Sequence, residues 1–171
     1  MKFRLGELFN ALSMIPGLVI SVCMFKIKPT LPCIGYFITS CNSIIFHGSA
    51  IFSSKTKKLL RIDLLTQNVA LIISSVYSPL KYKIYKLASI VLFSNISYFK
   101  LNLHNDYHCY YAYILNGTNI LIASSINKIL PCKWLLSYLL FGIDTIYPNK
   151  YSHALWHLIC HHIIYETYNL I

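Results

Sequence analysis

Seven apolar runs, each near the length of a bilayer crossing, follow one another with almost nothing between them. They cover residues 8–25, 31–53, 62–80, 84–99, 107–123, 133–147 and 152–171. A spanning helix needs about 20 mostly apolar residues, with a working range of about 17–25. The runs at 84–99 and 133–147 are short, and lysines at their ends can snorkel to the interface. In a chain of 171 residues, seven spans leave minimal loops. The pattern predicts an all-α, polytopic membrane protein. Residues 1–171 would form a single seven-transmembrane-helix bundle with no soluble domain beside it.

Composition agrees. Hydrophobic residues make up 56% of the chain and charged residues 12%. Soluble chains carry about 25% charged residues, and disordered ones are poor in apolar residues, so both classes are excluded. Fifteen Lys and Arg face five acids, a formal charge of +10. In a soluble protein that excess would suggest nucleic acid. Here the bases lie between apolar runs, where they meet anionic headgroups, so the expected partner is the lipid bilayer and not nucleic acid. They divide almost equally between the two sides, which leaves the orientation open. The 14 tyrosines suit interfacial belts. None of the six cysteines is spaced CxxC, so they read as small buried hydrophobes. Pro16 and Gly17 interrupt the first run and no clear small-x-small site follows, so it reads as a span and not a cleaved signal. The sequons at Asn95 and Asn116 fall inside apolar runs and are not expected to carry glycans.

Ionisable groups inside spans are costly and usually serve a site. Ser43 and His47 lie four residues apart late in the second run, on one helical face. Asp63 opens the third run, and His153 and His157 repeat the four-residue spacing at the start of the seventh. Two imidazoles so spaced can grip one metal ion, as in helical zinc motifs. In a seven-span topology all five residues share one side of the membrane. Three imidazoles with an open position form a catalytic zinc arrangement. Asp63 could then orient or deprotonate the bound water. Plainer readings stand beside this one. His157 and His161 make a second pair of the same spacing, His47 could be a hydrogen-bonded bundle histidine and Ser43 a small packing residue, and Asp63 could cap a helix.

The ordered set Ser43-x3-His47, Asp63 and His153-x3-His157 resembles a seven-span superfamily. It joins the alkaline ceramidases, the PAQR receptors with their hemolysin-III relatives, and lipid-remodelling proteins. Glu7-x2-Asn10-x2-Ser13 and His153-Ala154-Leu155-Trp156-His157 resemble the ceramidase branch, whereas Arg61-Ile62-Asp63 and the run to Pro79 are closer to the hemolysin-III pattern. The resemblance implies zinc held by His47, His153 and His157, with Ser43 and Asp63 as catalytic residues around the water. It implies hydrolysis of the amide bond of a ceramide-like membrane lipid, or, in the receptor branch, lipid sensing over a structural metal. It also implies an integral, multi-pass location, in a eukaryote an endomembrane such as the ER or Golgi. In ceramidases the residue matching Glu7 belongs to a calcium site with upstream acidic and amide ligands. None of the six residues before Glu7 is Asp, Glu or Asn, so here it reads as an acid favouring a helix N-terminus.

Overall fold

The computed structural model describes residues 3–81, 83–102, 131–147 and 150–169, together with Leu115 and Thr118. Among these residues every regular element is an α-helix. In chain order they are α1 (Leu5–Ser13), α2 (Ile15–Ile27), α3 (Leu31–Phe52), α4 (Lys57–Lys81), α5 (Tyr85–Asn102), α6 (Pro131–Ile146) and α7 (Lys150–Asn169). Six of the seven predicted runs coincide with helices. The run at 107–123 lies outside the described residues, apart from Leu115 and Thr118.

The first run is two helices, not one. A turn at Met14 separates α1 from α2, and Pro16 sits at the start of α2. Proline has no N–H to donate and its ring crowds the carbonyl four residues back, so the helix breaks there. Gly17 follows, and a Cβ at that position would collide with the His161 ring and Ser40 Oγ. Glycine therefore lets α2 approach both α3 and α7. The third run begins earlier than its hydropathy suggests, because Lys57, Lys58 and Arg61 continue the helix outward. Asp63 thus lies within α4 and is not its cap. At the α4–α5 turn Lys83 takes a left-handed conformation, φ 60°.

Helix α3 is central: it packs against α1, α2 and α4. Helix α1 touches both α3 and α7, α2 also reaches α7, α5 lies on α4, and α6 lies on α7. The interior of this assembly holds many polar groups beside apolar ones such as Val91 and Ile163. Glu7, Asn10, Ser40, Ser43, His47, Asp63, Asn68, Asn95, His157 and His161 are all buried, while Val19, Ile27, Phe93 and Ile146 are more than half exposed. Water-soluble proteins distribute these residue types the other way. Several of the buried groups bond back to their own helix: Ser75 Oγ donates to Ile72 O, Asn68 Nδ2 to Leu64 O and Asn95 Nδ2 to Val91 O. Such local bonds satisfy polar atoms without water. Among the described residues two helical stretches are long and apolar enough to cross a membrane, Leu5–Ile27 and Lys57–Tyr77. Helices α3 and α7 carry the polar residues described next, which dilutes their apolar character.

Candidate metal centre

Helices α1, α3 and α7 meet where the second run ends and the seventh begins. There the imidazoles of His47, His153 and His157 each bring a ring nitrogen within 4.8 Å of the other two. Ring centroids are 4.4 Å apart for His153 and His157, 5.4 Å for His47 and His153, and 5.7 Å for His47 and His157. His47 and His157 are 3% and 4% exposed, and His153 stands at the more open edge, half-buried.

Hydrogen bonds fix which nitrogen each ring turns inward. His47 Nδ1 donates to Glu7 Oε2 at 2.7 Å, and His153 Nδ1 donates to Asp144 Oδ2 at 2.7 Å. His157 Nδ1 lies 2.9 Å from Ser13 Oγ. The one proton of Ser13 Oγ goes to the carbonyl of Asn10 at 2.7 Å, so Oγ accepts from His157. In all three rings Nδ1–H is engaged by another residue, which leaves the Nε2 lone pair for an ion. His157 Nε2 is buried with no hydrogen-bond partner. A buried polar atom without a partner costs about 1–3 kcal/mol. The mutual approach of the three lone pairs adds repulsion that a cation would reverse. Metal-bound histidines almost always show this pattern, with the second nitrogen donating to a carboxylate, carbonyl or water. The donor set therefore fits a divalent ion that takes imidazole nitrogen.

The two remaining residues singled out by the sequence are also adjacent. Ser43 Oγ donates to Asp63 Oδ1 at 2.5 Å, and Gln67 Nε2 donates to Asp63 Oδ2 at 3.0 Å. Asp63 is 2% exposed and interacts electrostatically with both His47 and His153. The structure thus gathers all five residues at one junction.

Sequence reading missed the groups that orient the ligands. Glu7 faces His47 and does not merely favour a helix end. Ser13 and Asp144 carried no assigned role. The signals were present: Glu7, Asn10 and Ser13 recur every three residues on an otherwise apolar helix, and Asp144 is the one acid of its run. The rival pair His157 and His161 is also resolved, because both nitrogens of His161 are occupied, one by the Ser13 carbonyl and one by the Tyr36 hydroxyl. No family model, curated protein or solved structure matches the chain.

Proposed function

We propose that this chain is a multi-pass membrane hydrolase that holds zinc through Nε2 of His47, His153 and His157 and cleaves the amide bond of a ceramide-like lipid. The observation that carries the reading is the convergence of three imidazoles whose Nδ1 atoms are all engaged, around a buried Nε2 with no partner. Large apolar residues on the exterior over buried polar groups support a bilayer setting, because lipid offers polar groups no partners. Resemblance of the ordered Ser43, His47, Asp63, His153 and His157 set to the ceramidase branch supports the substrate class.

Zinc bound there would supply a Lewis acid, able to polarise a carbonyl and to make water nucleophilic near neutral pH. The chain's own residues do the rest. Glu7, Asp144 and Ser13 hold the three imidazoles in one orientation. Asp63, buried beside His47 and His153, is the proton acceptor and later the donor to the departing amine. Ser43 and Gln67 each donate to one of its oxygens and fix its plane. Removing water from this junction strengthens every electrostatic contact made with the reacting amide.

The test is turnover of a panel of N-acyl sphingoid lipids by zinc-loaded protein in detergent, with Asp63→Asn as control. Release of fatty acid and long-chain amine by wild type alone is expected. A zinc-loaded wild type that binds these lipids and releases neither product would contradict the hydrolase reading and leave lipid sensing.

A further inference from the structure

A fourth histidine is tied to the centre without joining it. His161 lies one turn beyond His157 on α7 and is 3% exposed. Its Nε2–H donates to the carbonyl oxygen of Ser13 at 3.0 Å. Its Nδ1 accepts from the Tyr36 hydroxyl, and the two ring centroids are 5.6 Å apart. With both nitrogens committed, His161 has no lone pair for an ion. Ser13 carries the connection onward, because its Oγ accepts from His157 Nδ1 at 2.9 Å.

The result is a train of contacts across three helices that passes through Ser13: Tyr36 on α3 and His161 on α7 reach its backbone carbonyl, and its hydroxyl accepts from His157. Two features of the chain make room for it. The turn at Met14 ends α1 at Ser13, and Gly17 has no Cβ to occupy the space of the His161 ring. The other two ligands lean on carboxylates, Glu7 and Asp144. His157 leans on the Ser13 hydroxyl, which donates to the Asn10 carbonyl, while His161 holds the backbone of the same serine.

We propose that His161 and Tyr36 are positioning residues of the metal centre, holding Ser13 so that it aims the Nε2 lone pair of His157. The proposal rests on the metal-centre reading above. Its test is a titration of detergent-purified apoprotein with cobalt(II), whose visible absorption reports ligand geometry, on wild type and three variants. His161→Phe keeps a ring and breaks both bonds; Tyr36→Phe removes one O–H; His161→Gln can still accept from Tyr36 and donate to Ser13. Loss of such an outer partner typically weakens metal affinity about 10–100-fold. His161 acts one residue further out, through Ser13, so a loss at the lower end of that range with an altered cobalt band is expected in His161→Phe. A smaller one is expected in Tyr36→Phe, and partial recovery in His161→Gln. Wild-type affinity and an unchanged band in a folded His161→Phe would overturn the proposal. If that variant does not fold, an unchanged band in Tyr36→Phe overturns it equally. No cobalt bound by wild type would overturn the metal centre itself, whereas cobalt bound identically by all four proteins would overturn only the train.

Discussion

The two ends of helix α7 hold similar side chains and use them differently. At its C-terminal end, Lys133 of α6 donates to both oxygens of Glu166, at 2.7 and 2.6 Å, and to His162 Nε2 at 3.0 Å. His162 and Lys133 are more than a third exposed there. At the N-terminal end, His153 and His157 meet His47, with Asp144, Ser13 and Glu7 behind them. In the first cluster the chain's own ammonium occupies the centre, and imidazole and carboxylate accept from it directly. In the second the acceptors point outward, away from the centre, and each imidazole turns a lone pair inward. The first arrangement is neutralised by the chain's own ammonium; the second presents a donor set that fits a cation. Burial sharpens the contrast, since water can solvate the exposed cluster and cannot reach His157 Nε2.

The contrast can be broken from either side. The largest effect is expected from His157→Ala, which removes the most deeply enclosed nitrogen. Bound zinc, read by elemental mass spectrometry, should fall to background together with any lipid hydrolysis. Asp63→Asn should come next. It keeps the metal but loses the proton acceptor, and turnover should drop by about 10²–10⁴-fold, the usual share of general acid–base catalysis. Equal rates in Asp63→Asn and wild type would remove Asp63 from proton transfer. Glu7→Gln and Asp144→Asn should each weaken zinc affinity by about 10–100-fold, measured by competition with a chelating dye. Gly17→Ala should cost about 1–3 kcal/mol in stability, as overpacking does, and lower the melting temperature of the apoprotein. Lys133→Met, at the exposed end, should leave metal content and turnover at wild-type levels. A large loss of zinc there would show that the two ends of α7 are not independent.

Much of this was readable from the chain alone. Long apolar runs mark helices whose faces avoid water, and six of the predicted segments coincide with helices in the structure. The four-residue spacings of Ser43 with His47 and His153 with His157 fix shared faces, and the structure brings the three imidazoles together. What failed to appear follows from physics. Hydropathy marks where a helix is apolar, not where its backbone starts, and so α4 extends through Lys57, Lys58 and Arg61 while Asp63 lies inside it. A spacing of four cannot distinguish His153 and His157 from His157 and His161. Only the tertiary bonds to Ser13 of α1 and Tyr36 of α3 commit His161 elsewhere. Glu7, Ser13 and Asp144 act across helices, on partners 40, 144 and 9 residues away. Local pattern does not encode such pairings.

The most direct test of the central claim is the zinc content of detergent-purified wild-type protein beside His153→Ala. The predicted result is close to one zinc per chain in wild type and almost none in the variant, with both proteins eluting as folded species. Folded wild type without zinc after metal loading, or equal zinc in the two proteins, would contradict the account.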